Sequence, residues 1–343
     1  MFKRICSISQ LVRLLSIAAV VLAAGAFAPA IASAARQAAP VELTLSFTGL
    51  EDLGPNWAYE GWLIVDGAPV STGIFAVDSS GKPSGTRFSV DVSDLSKVGT
   101  FVLTIESAPD SDPGPSAVHV LGGDFVNGAA KLSAGHAAAL GDDFTSATGQ
   151  YILAAPSAGA SGSYQSGIWW LDPAAGPGPA LHLPTLPAGW VYEGWVAGPD
   201  APISTGRFAL ASGADSDSAG PTGGPDATPP FPGQDFANPV IDLTSGYAAV
   251  ISIEPEPDNS TAPFAFKPLV DSAINDVGEG VLQAMANNVA AFPTGSATLG
   301  GGQAPSVLPV AGGESRPPVL PLLILAAGLL ALGAALKLRL RTR

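Results

Sequence analysis

The chain has 343 residues with 41 glycines, 32 prolines and only 13% charged residues, which favours short strands joined by many turns over long surface helices. Its 47% hydrophobic content suffices to bury a core and argues against disorder. Between Arg36 and Gly313 seven bases face 28 acids, a charge of −21 that excludes a nucleic-acid surface, and the single cysteine, Cys6, lies outside this body, which excludes disulfides and cysteine-held metals from it.

Residues 1–34 read as a signal peptide. Lys3, Arg4 and Arg13 form a basic start, Leu14–Phe27 is the apolar run, and Ala32-Ser33-Ala34 places cleavage after Ala34. Cys6 precedes the apolar run, so it is not a lipid anchor. An uncleaved anchor is the alternative, because Leu14–Ala34 nearly spans a bilayer.

The body is a duplication. Trp57-Ala58-Tyr59-Glu60-Gly61-Trp62 recurs as Trp190-Val191-Tyr192-Glu193-Gly194-Trp195, and Ala68-Pro69-Val70-Ser71-Thr72-Gly73 as Ala201-Pro202-Ile203-Ser204-Thr205-Gly206. Leu103-Thr104-Ile105-Glu106 then matches Ile251-Ser252-Ile253-Glu254. The offset grows from 133 to 148, which places the added residues near Ser212–Asp235, an expected surface loop. Val41–Phe47 alternates as a half-buried strand, and apolar runs at Tyr59–Val65, Thr72–Val77, Arg87–Val92 and Thr100–Glu106 follow between turn signals such as Asp66-Gly67. The pattern predicts an all-β protein with two tandem β-sandwich domains, at 41–150 and 163–270, the second opening near Gly167–Leu171.

Val270, Ile274, Val277, Val281, Met285, Val289 and Phe292 recur at three- and four-residue steps, predicting a short amphipathic helix over 271–292, capped by Asp271 and stopped by Pro293. Residues 293–318 read as a Gly/Pro-rich stalk. Val319–Leu336 is long enough for a transmembrane helix, and the basic tail 337–343 places that end in the cytoplasm. The expected location is therefore the cell membrane, single-pass, with the body extracytoplasmic. Leu308-Pro309-Val310-Ala311-Gly312 resembles the sortase pentapeptide LPxTG with alanine in place of threonine, which makes the cell wall the alternative location.

Catalytic signatures are lacking. His119, His136 and His182 stand in no metal-binding spacing, and neither a G-x-S-x-G elbow nor a P-loop occurs. Asp110/Asp112, Asp142/Asp143 and Asp215/Asp217 are read as solvated loop acids, since no EF-hand series accompanies them. The expectation is a non-enzyme without metal or cofactor; a hydrolase using loop carboxylates is a minor alternative. Trp62 and Trp195, with Tyr59 and Tyr192, are expected in the core of each repeat. Trp57 and Trp190, at strand entrances, are candidates for exposed aromatic contacts. Glu60 and Glu193 sit in the same strands and need partners if buried, with Arg87 and Arg207 as candidates.

The series Tyr59…Trp62, Pro69-Val70-Ser71-Thr72-Gly73 and Ile105-Glu106 before Pro109 resembles the extracytoplasmic C-terminal domain of anti-sigma-K-type factors. Copy two repeats it as Tyr192…Trp195, Pro202-Ile203-Ser204-Thr205-Gly206 and Ile253-Glu254 before Pro255. The resemblance covers most of 41–133 and 180–270. It implies a membrane-anchored sensor or binding module whose partner is an envelope glycan or protein. Members of that family grip a sigma factor through a cytoplasmic helical domain, often with a His-x-x-x-Cys-x-x-Cys motif that this sequence lacks, so no direct sigma-factor binding is expected. A structural or adhesive wall protein processed at Leu308–Gly312 is the alternative.

Overall fold

A computed structural model describes residues 40–300, apart from 258 and 259. The expected signal peptide, cleavage site, sorting motif, transmembrane helix and basic tail lie outside the described residues; of the stalk expected over 293–318, the described part forms the paired strand Thr294–Gly300 instead, because its backbone finds sheet partners on both sides. Within the described residues no helix is long and apolar enough to cross a membrane.

The body is all-β. Its first half holds β1 (Val41–Thr48), β2 (Trp57–Val65), β3 (Ala68–Phe75), β4 (Arg87–Val90), β5 (Val98–Ser107), β6 (His119–Asp124), β7 (Ala129–Ser133) and β8 (Thr148–Leu153). Its second half holds β9 (Gly167–Trp169), β10 (Leu171–Asp172), β11 (Gly178–Pro179), β12 (Leu181–His182), β13 (Trp190–Ala197), β14 (Pro202–Phe208), β15 (Gly233–Asp235), β16 (Ala248–Pro255), β17 (Leu269–Asp271), β18 (Gln283–Asn287) and β19 (Thr294–Gly300).

Local sequence sets these elements. β1 buries Val41, Leu43 and Leu45 on one face, as its alternation requires. Asp66-Gly67 and Asn127-Gly128 turn the β2–β3 and β6–β7 hairpins with positive φ at both residues, a geometry that matches the twist of the flanking strands.

The first eight-stranded sheet runs β3-β2-β5-β6-β7-β19-β1-β4. The second runs β14-β13-β16-β17-β18-β8-β9-β15, with β12 also on β8. The two orders correspond strand for strand. In each, the first and last strands approach one another, so the sheet curls almost closed on its own core. This replaces the expected pair of two-layer sandwiches.

The repeats exchange one strand. β8 follows β7 in the chain but pairs with β18 and β9 in the second sheet. β19 follows β18 but pairs with β7 and β1 in the first. Their registers are equivalent: Gly295 faces Leu132 and Leu299 faces Leu43, as Gly149 faces Met285 and Leu153 faces Ile168. Both strands read Thr-Gly-x-x-x-Leu, from Thr148 to Leu153 and from Thr294 to Leu299. The sheets therefore do not coincide with the sequence ranges 41–150 and 163–270. One hydrophobic core cluster joins residues of both copies.

The helix expected over 271–292 is not formed. Val270 lies in β17, Met285 in β18, and Val277 and Val281 are exposed. Gly278 and Gly280 adopt left-handed φ of 104° and 68°, which breaks a helix, and the flanking residues gain sheet partners in β16 and β8. Asp271 accepts a hydrogen bond from the Tyr151 hydroxyl at 2.7 Å instead of capping a helix. The insertion at Ser212–Asp235 is likewise not all surface loop, since it ends in buried edge strand β15.

The exchange makes a prediction. Ala297 is fully buried in β19, and Ala297→Asp would place an unpaired charge there at a cost of about 3 kcal/mol or more. Hydrogen exchange should then lose protection first in β1 and β7, far away in sequence, and not in the adjoining β18. Loss confined to β18 would refute the exchanged pairing.

Candidate functional site

The repeated motif residues form one polar network in each copy. Tyr59 and Trp62, like Tyr192 and Trp195, are buried. The Trp62 indole N–H donates to Thr104 Oγ1 at 2.9 Å, and Thr104 donates to Glu106 Oε1. In copy two Trp195 donates to Ser252 Oγ at 2.7 Å, and Ser252 donates to Glu254 Oε1. Each carboxylate also accepts a loop amide, Ser116 N–H at 2.9 Å for Glu106 and Phe264 N–H at 2.9 Å for Glu254. The terminal Glu of the motif thus clamps the loop after β5 or β16. The tyrosines clamp the loop before β2 or β13, as Tyr59 Oη donates to the Glu51 carbonyl at 3.1 Å and Tyr192 Oη to the Pro184 carbonyl at 2.6 Å.

The glycines have equally local reasons. A Cβ on Gly61 would lie 2.4 Å from Thr72 Oγ1, and one on Gly194 2.5 Å from Thr205 Oγ1. The register of β2 on β3 shifts beside Gly61, as that of β13 on β14 does beside Gly194. Gly73 and Gly206 take φ of 106° and 99°.

Glu193 accepts from Ser204 and from Arg207 Nε at 3.0 Å, realising the expected ion pair. Arg87 instead pairs with Glu42 on the surface at 3.3 Å. Glu60 accepts from Ser71, and the residue opposite it, where copy two has Arg207, is exposed Ile74. Burial pushes the Glu60 carboxyl above its ordinary range, the Ser71 bond opposing.

The acid pairs behave differently from one another. Asp110 and Asp112 accept nearby backbone amides, as do Asp142 and Asp143. Asp215 is partly withdrawn from water and its carboxyl is pushed up to about 6 by burial, against the Gly233 N–H it accepts. Among the described residues no group of three or more His, Cys, Asp or Glu is placed to hold a metal ion.

Residues of two clamped loops, Glu51–Trp57 of copy one and Pro255, Pro257, Ser260, Thr261 and Phe264 of copy two, line a cavity of about 320 Å³. Trp57, Ile105, Val118, Pro255, Pro257 and Phe264 form its apolar walls, with Asp52, Asn56 and Thr261 among its polar lining. Trp57 is half-buried and faces this space. Trp190, the other expected exposed contact, is buried: Phe264 and Phe266 pack on it with centroids 5.8 and 5.5 Å away.

Residues 13–118 match the family model described as anti-sigma-K factor rskA, C-terminal. The match begins at the edge of the first apolar run and ends beyond β5, so it takes in the whole motif series of the first copy. The second copy lies beyond the matched residues and repeats the motif series found within them. No curated protein and no solved structure matches the chain.

The residues that sequence reasoning passed over are Thr104, Ser252, Glu106 and Glu254 as one relay with the indoles. Their signal was recurrence at one offset. Removing the ring should expose their value: Trp62→Ala should cost about 3–5 kcal/mol in urea unfolding. Trp62→Phe, which keeps most of the bulk but leaves Thr104 without its donor, should cost about 1–2 kcal/mol. Equal costs for the two would show that the bond contributes nothing.

Copy one can also be given the cation it lacks. Ile74→Arg should stabilise the protein by about 1 kcal/mol at pH 7. A carboxyl with a raised folded value favours the fold fully below its unfolded value and loses that contribution as pH rises. The gain from Ile74→Arg needs the ionised carboxylate, so it should shrink as pH falls and Glu60 takes up its proton. A gain independent of pH would mean that the introduced guanidinium does not meet Glu60.

Proposed function

We propose that the body is a non-catalytic, extracytoplasmic binding module of a bacterial envelope, of the kind that forms the outer domain of anti-sigma-K factors, held at the membrane by residues 319–336. The observation that carries this reading is the family match over residues 13–118 together with the second copy of its motif network. The apolar run before the body, and the apolar run with its basic tail after it, support the orientation. The acidic body suits an exposed, soluble surface and opposes anionic partners. The motif residues act as struts: they fix two loops that border a cavity large enough for a small ligand. Neither direct sigma-factor binding nor a nucleic-acid partner is part of this reading.

The body has no cysteine, so a single introduced thiol reports its location. Thr261→Cys in the full chain should react with a membrane-impermeant maleimide in intact cells. Labelling only after lysis would overturn the proposed orientation. Mass spectrometry of the C-terminal peptide separates the two anchoring readings. A membrane-bound chain ending at Arg343 supports the helical anchor. A wall-bound chain ending at Ala311 would instead establish the sortase-processed, adhesive alternative.

A further inference from the structure

We propose that the cavity beside Trp57 is a binding site for an uncharged sugar ring. The proposal deepens the reading of the body as an extracytoplasmic binding module and rests on it.

The argument starts from a difference between otherwise equivalent repeats. In copy two, Phe264 and Phe266 close the space over Trp190. The equivalent residues of copy one are Ser116 and Val118. The backbone bonds fix this equivalence: Ser116 N–H reaches Glu106 as Phe264 N–H reaches Glu254, and Val118 O receives Ile105 N–H as Phe266 O receives Ile253 N–H. Copy one therefore lacks both rings at the place where copy two is filled. The vacated space is part of the cavity, because Val118 and Trp57 both line it. The supporting network is intact on both sides, so the opening does not come from a loosened fold.

The lining selects the occupant. The walls include Trp57, the edge of buried Phe264 and three prolines, Pro55, Pro255 and Pro257, suited to a flat or chair-like ring with an apolar face. The polar side offers carboxylate, amide and hydroxyl oxygens on Asp52, Asn56 and Thr261, which match a ring carrying hydroxyl donors around its edge. A purely apolar ring would desolvate those groups without replacing their bonds. Among the described residues no Lys, Arg or His lines the cavity, and Glu51 and Asp52 do, so an anionic ligand is opposed. The Trp57 indole N–H donates to no described residue, as is also true of the buried Trp170 and Trp190 indoles. A volume of about 320 Å³ lies at the small end of ligand sites and fits one ring of a longer chain.

The test uses the full chain in a sugar-free zwitterionic detergent and a panel of uncharged hexose and N-acetylhexosamine trisaccharides, with decaproline and spermidine as competitors of different chemistry. Calorimetry and tryptophan fluorescence give affinity. At least one trisaccharide should bind, Trp57→Ala should weaken it at least about tenfold, and Val118→Phe, which restores the ring of copy two, should abolish it. Thermal unfolding checks that each variant is folded, and Trp57→Ala keeps the test decisive if Val118→Phe overpacks. The proposal is overturned if no trisaccharide binds at millimolar concentration, if binding survives both substitutions, or if decaproline or spermidine shows this mutational pattern instead. Such a failure would leave the maleimide result, and with it the module reading, standing.

Discussion

A buried carboxylate cannot be left without donors, and much of each repeat follows from that constraint. Glu106 and Glu254 end the central strands β5 and β16 inside the fold. Their donors come from two directions: a hydroxyl that an indole holds in place, and the amide of a returning loop. One requirement therefore fixes a strand partner, a tryptophan orientation and a loop path together. This explains why tyrosine, tryptophan, serine, glycine and glutamate recur at set spacings although few of them reach the surface. It also locates the freedom to diverge. Ser116 and Phe264 give the carboxylates the same backbone amide, so their side chains can differ without disturbing the relay.

The exchanged strands bind the two copies in a different way. Two repeats joined only by a linker could move as separate bodies. Here β8 and β19 each lie between two strands of the opposite copy, and the apolar cluster continues from one to the other. The cavity beside Trp57 takes walls from both copies, and such a site holds its shape only if the copies keep one relative placement.

The duplication, the strand character of 41–107 and the burial of Tyr59, Trp62, Tyr192 and Trp195 were legible in the sequence, because alternation and recurrence report local geometry. The Arg207–Glu193 pair was legible for the same reason. The partner of Arg87 was not, because its cross-strand position is set by β1–β4 pairing, which no local pattern encodes. The helical period after Val270 misled for a related reason: apolar residues on successive short strands of a hairpin can mimic a three-and-four spacing. Trp190 reads as an exposed aromatic contact in the sequence and is buried. Its cover, Phe264 and Phe266, lies beyond three further strands, β14, β15 and β16.

The position of β19 also governs when the protein can be complete. It occupies an interior place in the first sheet, between β7 and β1, yet it is the last of the described strands to leave the ribosome. Until it arrives, β1 and β7 present open edges, and sheet edges invite pairing with other chains. The first half of the sequence is thus made first and finished last. A chain made in this order depends on whatever keeps two edges apart until the late strand arrives, so that the strand's docking marks the body as fully made.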